Sequence, residues 1–185
     1  KIIPALGHSV ASFEQAEEFC GMGANYLTHL FNGMRGIHHR DPSLALAGLV
    51  DDRFYREIIV DGYHLHPAMV NLIWNCARKD KLILITDFVG DEEPLDQAPP
   101  RLPSGNLAGS RLRLMRAVRN LIRFSRASIP EAVASASLNP SRVLGLADLA
   151  EVQEGAEPIL VLADEKLFLK KVIHGESVIE VPEDA

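Results

Sequence analysis

Cysteine is scarce in this sequence. Two occur in 185 residues, Cys20 and Cys76, and neither belongs to a C-x-x-C pair. A disulfide-built scaffold is therefore excluded, and the expectation is two reduced core thiols in a cytoplasmic protein. Long hydrophobic runs are missing too. No stretch stays apolar for long enough to cross a bilayer, and no signal-peptide pattern is present. Positive charge is in deficit, with 19 Lys and Arg against 25 Asp and Glu and a formal net charge of -6. That balance argues against nucleic acid or a membrane surface as partner. It leaves room for a local basic pocket that takes an anionic metabolite. What is present is an ordinary globular composition, 47% apolar and 24% charged. The chain is long enough for one sizeable domain, or one domain with an appendage.

Two kinds of periodicity alternate along most of it. "IIPAL" is a short apolar run. "GHSVASFEQAEEFCGMG" follows, with Phe13, Ala16, Phe19 and Cys20 on one helical face, Ser12 as N-cap and Gly21 and Gly23 as stops. "ANYLTHL" reads as a second strand and "SLALAGLVDD" as a helix. "REIIVDG" reads as a third strand, followed by the helix "HPAMVNLIWNCARKD", whose Pro67 suits a first turn. "KLILITD" is a fourth strand. A proline-rich loop or mobile lid runs from Phe88 to Asn106, and the helices "GSRLRLMRAVRNLIRF" and "IPEAVASASLNPSRVLG" come after it. Strands alternating with helices predict parallel β/α units, and near-continuous apolar strands predict a sheet covered on both faces. After Gly145 the texture changes. "EPILVLADEKLFLKKVIHGESVIEV" predicts two or three antiparallel strands in a small second module, with the boundary near Ala150.

Polar residues close the apolar strands: His8, His29, the group Asp61 to His64, and Asp87. In parallel β/α folds the carboxyl ends of the strands carry the ligand site. One histidine there is unremarkable, but three histidines and an aspartate in successive units form a coherent chemical set. Imidazoles suit zinc and similar divalent ions. A catalytic metal acidifies water, and a nearby carboxylate moves the proton to a leaving group. The set therefore points to metal-assisted hydrolysis of an amide or related bond. The loop groups keep plain alternatives. Arg40 beside Asp41 is either a surface ion pair or an anion clamp, and Asn32 either caps a turn or binds a ligand. "LAGS" is either a helix start with Ser110 near the N-cap or a small-residue turn against a ligand. His38 reads as exposed, and His66 and His174 as structural or solvated.

The ordered set "GHSVASFEQA", "THLFNGM", "HHRDP", "DGYHLHP", "LITD" and "LAGS" resembles the C-terminal half of the N-acetylglucosamine-6-phosphate deacetylases of the amidohydrolase superfamily, across nearly the whole chain. The resemblance implies an α/β fold: the C-terminal half of a TIM-like (β/α)8 metal-dependent hydrolase barrel over 1–150, plus strands of a small β-sandwich module over 151–185. It implies deacetylation of an amino-sugar phosphate. His8 and His29 match ligands of a divalent metal, zinc first, with iron, cobalt or manganese as alternatives. Asp87 matches the catalytic base and acid, and His64 a substrate-binding histidine beside the scissile amide. Asn32, Gly33 and Arg40 match the phosphate contacts, Arg40 reaching into the partner subunit of a homodimer. Leu107, Ala108 and Gly109 match a substrate-contacting turn.

The family's metal-binding glutamate lies in a first half that this sequence does not contain. Phe88 stands where a small residue follows the catalytic aspartate, and the insert before "LAGS" is short. The expectation is a piece of a longer chain, a half that associates, or an inactive one. Two other readings stay open: a half-barrel that binds sugar phosphate or metal without turnover, and an amidohydrolase for a cyclic amide or nucleobase.

Overall fold

The computed structural model describes residues 2–90 and 98–181. Part of the expected proline-rich loop, residues 91–97, lies outside the described residues. The chain divides into two compact units, Lys1–Ala136 and Ser137–Ala185.

The first unit is built on four parallel strands, β1 (Ala5–Leu6), β2 (Tyr26–Leu27), β3 (Tyr55–Ile59) and β4 (Leu82–Ile85), in that spatial order. Parallel neighbours consecutive in sequence need a crossover between them. Helices α1 (Phe13–Gly21), α2 (Leu44–Val50) and α3 (Pro67–Cys76) supply the three crossovers. Helices α4 (Leu114–Phe124) and α5 (Ile129–Ala136) follow β4. The core lies along β3 and β4, where Ile58, Ile59, Leu82, Ile83 and Leu84 are all buried, with Leu27, Leu30, Leu44 and Phe54 around them. Each such side chain contributes about 1.5–3 kcal/mol relative to its exposed state. β2 stops inside its apolar run because the backbone turns left-handed at His29, two residues on. The ladder still continues outward through Thr28 N–H to the Leu6 carbonyl at 3.0 Å.

Local sequence explains the helix ends. Ser12 and Gln15 form a reciprocal capping box: Ser12 Oγ accepts from Gln15 N–H at 3.3 Å, and Gln15 Oε1 accepts from Ser12 N–H at 3.0 Å. Ala16 and Cys20 form the buried stripe of α1, whereas Phe19 is exposed. Gly48 of α2 lies so close to the sheet that a Cβ there would sit 2.3 Å from Leu27 Cδ1. Pro67 stands in the first turn of α3, and His66 is its N-cap, accepting from Ala68 N–H at 3.2 Å. Cys76 is exposed, contrary to the expectation of two core thiols, because α3 buries the stripe of Val70, Ile73 and Trp74 and position 76 falls beside it. Both cysteines are free.

Two expected helices come out differently. The one expected from Gly109 begins at Leu114, since Ser110 is extended and forms a parallel bridge with Phe88. Ser110 is therefore no N-cap. The run "IPEAVASASLNPSRVLG" splits into α5 and α6 (Leu138–Leu144). Pro140 is the physical cause, because its ring would collide with the carbonyl four residues earlier, at Ala136. In the second unit α6 ends on left-handed Gly145, φ 74°. Strands β5 (Ile159–Ala163), β6 (Leu169–His174) and β7 (Ser177–Glu180) then form an antiparallel sheet in sequence order, as the change of texture predicts. Among the described residues no helix is long and apolar enough to cross a membrane.

Candidate active site at the strand ends

His8, His29, Asp61 and Asp87 each stand two residues beyond the last residue of β1, β2, β3 and β4. Parallel strands bring these four positions to one edge of the sheet. Three of the four have left-handed backbone, with φ 46° at His8, 26° at His29 and 46° at Asp87. Such a conformation costs an L-residue about 1–2 kcal/mol. The same left-handed backbone thus recurs at the same place in three units.

His8 and His29 meet there. Their Nε2 atoms are 3.0 Å apart, and the rings are nearly perpendicular with centroids 4.6 Å apart. The two Nε2 atoms thus lie side by side at a separation close to that of two donors on one tetrahedral ion, roughly 3.3 Å. Nδ1 of His29 is buried without a hydrogen-bond partner among the described residues. The donor type and separation fit a divalent metal. No group of three or more His, Cys, Asp or Glu among the described residues is placed to hold a metal ion, so these two imidazoles would supply two ligands at most.

At β3, Asp61 holds His64. Asp61 Oδ2 lies 2.7 Å from His64 Nδ1, and Asp61 Oδ1 accepts from the N–H groups of Tyr63 and His64, each at 2.8 Å. Both side chains are at least nine-tenths buried. Burial alone would raise the Asp61 pKa. The hydrogen bonds from His64 and the two backbone amides outweigh it and hold the carboxyl below its ordinary value. With Nδ1–H donating to the Asp61 carboxylate, His64 has Nε2 left for another partner. Asp61 is visible in the sequence only as a member of a polar group, and its spacing of three from His64 is the signal of its part. A carboxyl whose folded pKa is depressed adds stability above its unfolded pKa, and that stability is lost as the pH falls through the folded value. Asp61→Asn therefore lowers stability at pH 7 and flattens the loss of stability below about pH 4. Urea melts of both proteins at pH 7 and pH 3 check this, and parallel losses in the two would contradict it.

The loop after His29 is compact. Asn32 N–H donates to the His29 carbonyl at 2.9 Å, and Asn32 Nδ2 donates to the carbonyls of His29 and Leu30 at 3.3 and 3.4 Å. Asn32 thus closes the turn with its amide nitrogen. Gly33, φ 62°, packs against His8: a Cβ there would sit 2.5 Å from His8 Nδ1. Asp41 pairs with Arg35 at 2.5 Å, not with its neighbour Arg40. Arg40 is exposed, its Nη1 2.8 Å from His39 Nε2. The structure therefore removes the surface ion pair from Arg40 and leaves its guanidinium facing outward.

Asp87 is exposed, and its backbone is anchored. Its carbonyl accepts from Ser110 N–H at 2.7 Å, and Val89 N–H donates to the Ser110 carbonyl at 2.8 Å. Ser110 is fully buried. Its hydroxyl donates to the Thr86 carbonyl and accepts from Leu112 N–H at 3.0 Å. Gly109 lies against this ladder, beside Val89 and the Asp87 carbonyl, while Leu107 bridges Arg101 and Ala108 N–H donates to the Pro100 carbonyl at 2.9 Å. Phe88 is clasped by Arg113, whose guanidinium carbon lies 4.4 Å from the ring centroid.

The fold and this edge define an α/β protein with its candidate chemistry at the carboxyl ends of a parallel sheet. No family model matches the chain. It is 37% identical over 181 residues to the N-acetylgalactosamine-6-phosphate deacetylase of Escherichia coli O157:H7, covering 90% of this chain and 48% of that protein. It is also 37% identical over 158 residues to the putative N-acetylgalactosamine-6-phosphate deacetylase of Escherichia coli K12, covering 78% of this chain and 94% of that one. The crystal structure of the Thermotoga maritima N-acetylglucosamine-6-phosphate deacetylase superposes with a TM-score of 0.89 at 34% identity, over 97% of this chain and 53% of that one. The chain belongs to the family of N-acetylglucosamine- and N-acetylgalactosamine-6-phosphate deacetylases. It spans about half the length of the first of these relatives.

Proposed function

We propose that the chain carries the C-terminal half of a (β/α)8-type amidohydrolase site that removes acetate from an N-acetylhexosamine 6-phosphate, N-acetylglucosamine 6-phosphate first. The approach of the His8 and His29 Nε2 atoms to 3.0 Å, on the edge that also presents Asp87, carries the reading. A divalent metal held by this pair, zinc or else iron, cobalt or manganese, would supply polarisation of the acetyl carbonyl and acidification of water. Asp87 takes the proton of the attacking water and returns it to the amine nitrogen as the C–N bond breaks. His64, oriented by Asp61, hydrogen-bonds the substrate beside the scissile amide. Asn32, Gly33 and Arg40 hold the phosphate, with Arg40 reaching the site of the second subunit in a homodimer. The turn of Leu107, Ala108 and Gly109 closes on the sugar. In this reading the barrel part runs over 1–150 and the sandwich strands fall within 151–185, a boundary drawn from sequence texture and later than the Ala136–Ser137 division of the compact units. Two free cysteines, one of them exposed, suit a reducing cytoplasm.

The two-ligand character of the histidine pair favours one further reading, a half-site that binds metal or sugar phosphate without turnover. Acetate release from N-acetylglucosamine 6-phosphate and N-acetylgalactosamine 6-phosphate, with added Zn²⁺ and with a chelator, separates the two. Chelator-sensitive release is expected. A folded chain that binds the sugar phosphate but releases no acetate overturns the catalytic reading in favour of the binding one.

A further inference from the structure

Beneath the histidine pair lies a carboxylate that the proposed reaction does not use. Glu57, in the middle of β3, accepts from the Tyr26 hydroxyl at 2.6 Å with Oε1. With Oε2 it accepts from the Thr28 hydroxyl at 2.8 Å and from the His29 backbone N–H at 3.4 Å. All three donors come from β2 and the turn that ends it. The Tyr26 phenol is pushed well above its ordinary pKa by burial and by the adjoining Glu57 carboxylate, so it stays a donor at any working pH. Glu57 adds a second tie between the same segments beyond the backbone ladder, in which Leu30 N–H donates to the Glu57 carbonyl at 2.8 Å. The ligand turn is strained at both His29, φ 26°, and Phe31, φ 76°, and strain persists only where the surroundings over-determine it.

We propose that Glu57 is a positioning residue that locks the His29 turn in its left-handed conformation and so keeps His29 Nε2 aimed at His8. The inference rests on the reading of His29 as a metal ligand. Glu57 itself is no ligand, because both of its oxygens are engaged by the β2 donors. Removal of a supporting partner of a metal ligand weakens metal binding by about 10–100-fold. An isosteric amide keeps an acceptor for the turn, and the two hydroxyls can rotate to accept from its NH₂.

The test is Co²⁺ titration followed by visible absorption, together with hydrogen exchange of the His29 amide in the metal-free protein. Glu57→Ala is expected to weaken Co²⁺ by about 10–100-fold and to speed His29 amide exchange, while Glu57→Gln restores both to within a few-fold of the parent. Thr28→Val, which removes one donor and spares the carboxylate, gives an intermediate loss and serves where Glu57→Ala does not fold. A purely structural part would lower the melting temperature of Glu57→Ala and leave the affinity of its folded fraction alone. Unchanged His29 exchange in Glu57→Ala, or in Thr28→Val where Glu57→Ala does not fold, overturns the inference, with or without metal binding. Equal Co²⁺ binding by the parent and His29→Ala overturns instead the ligand reading of His29, and the exchange data then still decide whether Glu57 holds the turn.

Discussion

Asp87→Asn lowers acetate release by about two to four orders of magnitude and leaves Zn²⁺ binding within twofold. The amide is isosteric but cannot take a proton from water at neutral pH. The backbone that seats it is untouched, because that backbone is held through the Asp87 carbonyl and Ser110 N–H rather than through the side chain. The position two residues beyond β4, with φ 46°, is retained. Acetate release and calorimetric Zn²⁺ titration on the same preparation separate chemistry from folding. Near-normal release in Asp87→Asn would remove Asp87 from the role of base and acid.

Gly109→Ala has the largest expected effect on the fold around that site. Gly109 has φ 76°, and a Cβ there would sit 2.4 Å from Val89 Cγ2 and 2.8 Å from the Asp87 carbonyl oxygen. The first contact is with a side chain that can shift. The second is with the backbone that bonds Ser110, which cannot move without breaking the ladder. Left-handed strain and overpacking together cost about 3 kcal/mol, a fall of roughly 6–12 °C in Tm for a chain of this size. Acetate release falls with it at temperatures where the variant is still folded, because Asp87 rides on the displaced ladder. A Tm within 2 °C of the parent would show that the turn relaxes freely and that its closeness to Asp87 has no mechanical weight.

Much of this architecture is readable from periodicity. The strands of β3 and β4, the Ser12 cap, Pro67 at the head of α3 and the antiparallel strands after Gly145 all follow from local patterns. The polar residues that close the strands are also legible, because a histidine or aspartate is costly to bury unpaired and so marks where an apolar run leaves the core. What is not legible depends on partners far away in sequence. Its neighbours leave Ser110 open between a helix start and a small-residue turn, and its pairing with Phe88 is what sets it in a bridge. Arg40 adjoins Asp41, yet chain direction gives the carboxylate to Arg35. Nothing local marks Glu57, and only the register Leu27 to Arg56 brings Tyr26 and Thr28 to it. Pro140 is in plain view, and the break it imposes on the α5–α6 run follows from its missing N–H and its ring.

The proposed function stands or falls with His8 and His29 acting as one metal-binding pair at the carboxyl edge of the sheet. Calorimetric titration of Zn²⁺ into the protein, into His8→Ala and into His29→Ala tests it most directly. One Zn²⁺ per chain is expected for the parent, with that binding lost in either single variant and the far-ultraviolet circular dichroism unchanged. Two single variants that bind Zn²⁺ as the parent does would contradict it.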